Sequence, residues 1–338
     1  MNREKVSVII PTHNRAEKLV ETLGCLKRQN LDGAACEVIV VDDGSTPPVT
    51  LPEHLAADLR FKLVRLEGVE RSAARNSGAA AATGELLIFI DDDMTFDADF
   101  VSYHVQAHRE WPDAFAVGSV RLPDEALRKP FGAFRQRLEQ NDLPGARGLT
   151  PVRNFCTAAN MSVSRKRFEE LSGFDPSITS AEDQDLALRH TERGGRIAFI
   201  PEALVIHHDS ALDIRSYCRR TEWGALRMTA FCERYPDWPD NVERERVNGP
   251  VRLGREPLAE SARKVIKTAL ASRPAVALFF LLARLFERTA PRGYALDRVY
   301  RLLLGAHILR GYRRGLEAEI TSAEKSVRQS VRSVQQEN

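Results

Sequence analysis

Three consecutive carboxylates, Asp91, Asp92 and Asp93, follow directly on the unbroken apolar run Leu86–Ile90. Like charges so close repel one another unless a cation is near. In an extended segment Asp91 and Asp93 project to one side. Two hard oxygen ligands there suit manganese or magnesium, with phosphate oxygens and water completing the shell. The competing reading is a solvated turn in which one Asp caps a helix. A second acidic turn, Asp42-Asp43-Gly44-Ser45, closes the run 37–41. An Asp placed there can accept from a base N–H or a ribose hydroxyl, although Asp-Gly is equally good turn chemistry. Arg75, in SAARNSG, is a candidate phosphate partner or an exposed helical Arg. Ser180 and Asp183 have capping-box spacing, and an acid at that helix start could also serve as an ionised general base. His207 and His208 close a strand; one could bind a metal, or both could lie on the surface.

These groups fall where apolar runs stop. Residues 6–10 end at Pro11-Thr12-His13-Asn14, and 86–90 end at the three carboxylates. Between the runs, 16–29 places Leu19, Val20, Leu23 and Leu26 at helical spacing. Residues 61–66 alternate as a third strand, and 72–82 form an Ala-rich helix with small residues suited to close packing. Strands alternating with helices predict an α/β fold: a Rossmann-like, mostly parallel sheet with helices on both faces. Ligands bind at the C-terminal edge of such sheets. Further strands are expected at 114–122, 155–164 and 196–206, with a helix from Glu182. From Asp213 the pattern is helical, broken near 236–239 and 250. Residues 322–338 lack large apolar side chains and are expected to be disordered.

The chain has 338 residues, 49 Lys/Arg and 47 Asp/Glu, a net charge near neutrality that gives no reason to expect nucleic-acid binding. The distribution is uneven. From Arg252 onward there are 17 Lys/Arg against 8 Asp/Glu. A basic end on an acidic body suggests peripheral contact with an anionic membrane surface, or else a solvated helical face. The longest apolar run, 274–283, is about half a bilayer span. Five cysteines with no CxxC pair argue against a disulfide framework or zinc site. The start reads as having no signal peptide, so the expected location is cytoplasmic, at most peripheral on the inner face of a membrane.

Taken together, the motifs resemble the family 2 inverting glycosyltransferases of GT-A fold. The matching segments are VSVIIPTHNR (6–15), VIVVDDGS (38–45), AARNSGAAAATGE (73–85), LLIFIDDDM (86–94), NFCTAANMSVSRKRFEELSGFD (154–175), AEDQDLALR (181–189) and PEALVIHH (201–208). The resemblance implies a nucleotide-sugar donor, a UDP-sugar foremost, and a carbohydrate or lipid-linked acceptor. It also implies a divalent metal, Mn or Mg. Pro11, Thr12, Asn14, Arg15, Asp43, Arg75, Asp91 and Asp92 would bind the nucleotide-sugar. Asp91, Asp93 and His207 would hold the metal, with His208 as the alternative imidazole. Asp183 would be the catalytic base, and Glu182 and Asn160 would lie on the acceptor side. On this reading 1–212 is a GT-A catalytic domain, with a nucleotide-sugar half to about 115 and an acceptor half from about 116. Residues 213–321 are a helical C-terminal region.

The chain departs from the processive members of that family. It lacks their QxxRW signature, echoed only loosely by Arg219, Arg220 and Trp223. Long transmembrane segments are also missing, which favours addition of one sugar per encounter. A sugar-1-phosphate nucleotidyltransferase would need a Gly-rich loop after the first strand, and 11–15 contains no Gly. A non-catalytic binding module could dispense with the acids at 91–93 and 183.

Overall fold

The computed structural model describes residues 4–31, 34–52, 55, 60–141, 143–151, 156–209 and 212–336. The chain divides into two compact units, Met1–Ser210 and Ala211–Asn338. In the first, strands β1 (Lys5–Thr12), β2 (Ala35–Asp43), β3 (Arg60–Leu66) and β4 (Leu86–Ile90) pair in parallel, in the order β3-β2-β1-β4. Helices α1 (Ala16–Lys27) and α2 (Arg71–Ala81) connect them. Val6, Val8 and Ile10 enter one core with Leu19 and Leu23 of α1; Ile9 enters another with Ala74 of α2. This is the period-two alternation of a strand covered on both faces. The small residues of α2 permit close approach: a Cβ on Gly78 would lie 2.5 Å from Ile9 Cγ2.

Beyond β4 the sheet is mixed, which corrects the mostly parallel expectation for this half. β5 (Met94–Phe96), α3 (Phe100–Glu110) and β6 (Ala114–Arg121) follow, then two helices, α4 (Asp124–Leu127) and α5 (Pro130–Gln140), and β7 (Gly148–Thr150). Next come β8 (Asn160–Ser164), α6 (Arg165–Glu170), α7 (Glu182–Glu192) and β9 (Arg196–His207). The order continues β4-β8-β6-β9-β5, with β7 on β9. β8 runs antiparallel to β4 and β6. It begins at Asn160, not at 155; Asn154 and Phe155 lie outside the described residues.

The second unit is helical, as expected from Asp213 on: α8 (Ile214–Arg227), α9 (Thr229–Arg234), α10 (Pro239–Asn248), α11 (Leu258–Leu270), α12 (Arg273–Thr289) and α13 (Tyr294–Gln336). α13 runs to Gln336, and 337–338 lie outside the described residues.

Candidate active site

The three carboxylates follow β4, but the chain turns at Asp92 and Asp93 instead of continuing extended. They therefore fan apart, and the side-by-side placement expected for Asp91 and Asp93 is not what forms. Thr22 of α1 fixes this turn. Its hydroxyl lies 2.9 and 2.8 Å from the carbonyls of Asp92 and Met94 and accepts from Met94 N–H at 3.2 Å.

Asp91 faces Arg75. The Arg75 guanidinium is buried and bridges two acids, Asp91 Oδ1 at 2.8 Å and Glu182 Oε1 at 2.9 Å. Phe174 lies beneath it, 5.7 Å from ring centroid to Cζ. Arg75 Nε has no partner among the described residues. Asp183 follows Glu182 in the first turn of α7. Its carboxylate accepts from the Gln184 N–H at 2.9 Å and the Ala158 N–H at 3.3 Å. Burial, then repulsion from Glu182, pushes the Asp183 pKa up to about 6, against the pull of Arg75 and both N–H groups. The expected Ser180 capping box does not form. The N-cap is Ala181 at φ 66°, a left-handed conformation costly for a residue with a Cβ, and no side chain caps it.

Asp92 and Asp93 face α1. Thr12 Oγ1 donates to Asp92 Oδ2 at 2.6 Å, while Arg15 reaches Asp92 at 3.3 Å and Asp93 at 3.1 Å. Lys18 lies 3.7 Å from Asp93 and also donates to the His208 carbonyl. Burial raises the Asp92 pKa to about 6 despite Thr12 and Arg15. Burial also pushes Asp93 up, but His207, Arg15 and Lys18 outweigh it and hold Asp93 below the usual carboxylate range.

His207 reaches this group through β5, which pairs antiparallel with β9 and sets Met94 opposite His207. His207 Nε2 then lies 3.3 Å from Asp93 Oδ1, whereas His208 Nε2 meets Thr95 Oγ1 at 2.8 Å. Of the two imidazoles, His207 is the one that lies beside Asp93.

Among the described residues no donor meets the buried Asp93 Oδ1 in full hydrogen-bond geometry, although His207 Nε2 lies 3.3 Å away. Such a carboxylate oxygen beside an imidazole nitrogen fits part of a hard cation's shell, with phosphate oxygens and water completing it. Among the described residues, no three His, Cys, Asp or Glu side chains form a ready cage. The cluster Asp91, Asp92, Asp93, Glu182 and Asp183 sets five carboxylates against the three permanent cations Arg15, Lys18 and Arg75. When all are ionised the excess is two negative charges, the amount a divalent cation cancels.

The loop after β1 is tied to the loop after β2. Asn14, at φ 56°, donates its N–H to Ser45 Oγ at 2.8 Å, and its Oδ1 accepts from the Thr46 N–H at 2.7 Å. Pro11 pairs with Val41 and Thr12 with Asp42 at the ends of β1 and β2. Asp42 is buried and accepts from the Ser45 and Val49 N–H groups. Asp43 stands at the edge, accepting from the N–H groups of Val69 and Glu70 at 2.7 and 3.1 Å. Its carboxylate retains lone pairs for a further donor.

Two expected acceptor-side residues are not open to an acceptor. Asn160 is fully buried, and Glu182 is buried against Arg75. Arg75 itself is held by carboxylates and has no exposed donor for a phosphate in this arrangement. Lys18 and Thr22 were missed in the sequence. Their signal is the spacing Arg15, Lys18, Thr22, which lines one face of a helix that starts beside the first polar loop.

The parallel first half, the mixed second half and the acidic turn at their junction define a GT-A fold. The chain belongs to glycosyl transferase family 2, whose sequence profile matches residues 7–172. It is 41% identical over 211 residues to the validoxylamine A glucosyltransferase of Streptomyces hygroscopicus subsp. jinggangensis, covering 54% of this chain and 50% of that protein. It is 27% identical over 249 residues to the pre-mycofactocin glycosyltransferase of Mycobacterium tuberculosis, covering 69% and 48%. The chain thus spans about half the length of these curated relatives. In fold it matches a mannosyltransferase from Pyrobaculum calidifontis solved with GDP-Man and Mn2+, with TM-score 0.59, 21% identity and coverage of 93% and 89%.

Proposed function

We propose that the chain transfers one sugar from a nucleoside-diphosphate sugar to an acceptor hydroxyl, inverting the anomeric centre. The observation that carries this reading is the convergence of Arg15, Lys18, Asp93 and His207 on one side of the acidic turn, with Arg75, Asp91 and Asp183 on the other. The nucleoside would lie between the loops after β1 and β2, at Pro11, Thr12, Asn14 and Asp43. Arg15 and Lys18, both part-exposed, would meet the diphosphate. Asp93 and His207 would hold a Mn or Mg ion, whose charge stabilises the leaving diphosphate. Asp183 would take the acceptor proton as the hydroxyl attacks the face opposite the diphosphate. Arg75 would keep Asp91 and Glu182 in place, since its guanidinium is buried between them and Glu182 is buried with it.

The test is release of nucleoside diphosphate from a panel of UDP-, GDP- and dTDP-sugars, with Mn or Mg. UDP-glucose comes first, because the relative with 41% identity is named a glucosyltransferase. No release from, and no binding to, any donor would overturn the reading. Pyrophosphate release from a nucleoside triphosphate and a sugar 1-phosphate would replace it with nucleotidyl transfer.

The second unit supports a membrane-surface contact, and through it a lipid-linked acceptor. No single helix among the described residues is long and apolar enough to cross a membrane. Yet α12 exposes Leu278, Leu281 and Leu285, at spacing i, i+3, i+7, and α11 exposes Leu258, Val265 and Ile266. Of the cations on these two helices, Lys264 is buried against Glu256 and Lys267 binds Asn248 at 2.5 Å. Arg273, Arg284 and Arg288 remain exposed. Apolar side chains rimmed by arginines suit a bilayer interface with anionic lipid. The chain is expected to sediment with anionic vesicles, less at high salt, and the Leu281→Glu, Leu285→Glu double variant to stay in solution. Absence of sedimentation with anionic vesicles would exclude the contact.

A further inference from the structure

We propose that Asn160 is a positioning residue whose carboxamide clamps a break in the β6–β9 ladder and so sets His207 against Asp93. The ladder pairs Gly118 with Ile200 and then Val120 with Val205. Ser119 alone on β6 therefore stands opposite residues 201–204 on β9. Backbone carbonyls in such a break lose their ladder donors and need others. Asn160 Nδ2 donates to two of them, Ser119 O at 2.9 Å and Ala203 O at 2.7 Å. Gly118 leaves the room: a Cβ there would lie 2.4 Å from Asn160 Nδ2 and 2.2 Å from Ala203 O.

Past the break, β9 pairs with β6 at Val205 and Ile206 and with β5 at Val205, Ile206 and His207. A slip of one residue turns each side chain to the opposite face. His207 would then leave Asp93. Asn160 is also the register partner of Ile90, the residue before Asp91. One side chain thus ties the strand that delivers the carboxylates to the strand that delivers the imidazole.

The other end of the amide is held as well. His104 Nε2 lies 3.1 Å from Asn160 Oδ1, and His104 Nδ1 lies 2.8 Å from Ser162 Oγ. His108 Nε2 lies 2.9 Å from the same hydroxyl. Because Nδ2 is committed to two carbonyls, Oδ1 must accept. His104 then carries its proton on Nε2, Ser162 donates to His104 Nδ1, and His108 Nε2–H donates to Ser162. Burial keeps both imidazoles neutral, with pKa lowered to about 3 for His104 and about 4 for His108. Proton positions in the chain run one way, so the amide cannot flip without breaking every link.

The test uses the full chain with Asn160→Ser and, should that variant fold poorly, His104→Gln. Amide hydrogen exchange is expected to speed up by about ten-fold or more at 94–96 and 205–208, with 86–90 unchanged. In a double-mutant cycle on donor kcat/KM, His207→Ala added to Asn160→Ser should cost little beyond either change alone. Val163→Ala, a buried change in the same strand that does not touch the clamp, should instead multiply with His207→Ala to within about two-fold. Exchange that is unaltered, or raised evenly across the sheet, overturns the clamp; so do costs of Asn160→Ser and His207→Ala that multiply. The kinetic arm rests on the proposed role of His207. If His207→Ala keeps full turnover, that role fails, and the exchange arm alone decides the clamp.

Discussion

The Asp183→Asn variant is expected to lose turnover by about 10²–10⁴-fold while melting at a higher temperature than the parent chain at about pH 7. Both effects follow from the same carboxyl. Burial and Glu182 raise its pKa from 3.8 to about 6, so the folded chain favours the protonated form. The stabilising contribution of that proton is complete below about pH 4 and is lost as pH rises through about 6. At neutral pH the ionised group works against the fold, and Asn, which resembles the protonated acid, removes that penalty. The melting gain should vanish near pH 4. Turnover of the parent chain should climb through about pH 6 and level above it, as the base loses its proton. Donor binding should be nearly unchanged, since Asp183 acts on the acceptor. Calorimetry at two pH values and a pH–rate profile check these outcomes. A variant keeping more than about half the parent rate would reduce Asp183 to a structural acid.

The legible parts of the fold were those set by local pattern. β1, β2 and β4 are continuous apolar runs ended by polar residues, which is how strands buried on both faces must read. The acids at 43, 91–93 and 183 were visible because each follows such a run or opens a helix. Long-range pairing was not legible. β5 has three residues, too few to show a period, and its partner lies more than a hundred residues away. Without it nothing distinguishes His207 from His208. Asn160 fell within an expected strand and, by resemblance, on the acceptor side; the carbonyls it satisfies belong to a ladder break that no local pattern announces. Ser180 matched a capping box in spacing alone; the left-handed Ala181 moves the helix start past it.

Chelation of divalent metal is expected to abolish turnover, with Mn or Mg restoring it, and Asp93→Asn should cost roughly 10²–10³-fold or more. Asp93 is the acid that His207, Arg15 and Lys18 hold ionised against its burial. Its lowered pKa adds stability above about pH 4 that is lost as pH falls through the folded value. Asp93→Asn should therefore melt lower at neutral pH, opposite in sign to Asp183→Asn. The loss is tempered because Arg15 and Lys18 are part-exposed and partly screened by water. His207→Ala removes a neutral ligand and leaves the charge, so its deficit should shrink as Mn is raised. That of Asp93→Asn should persist, since no cation concentration replaces the missing anion. Full turnover in chelator-treated, metal-free buffer would sink the metal reading. The charge of the leaving diphosphate would then fall to Arg15 and Lys18, and Arg15→Ala and Lys18→Ala would carry the large losses instead.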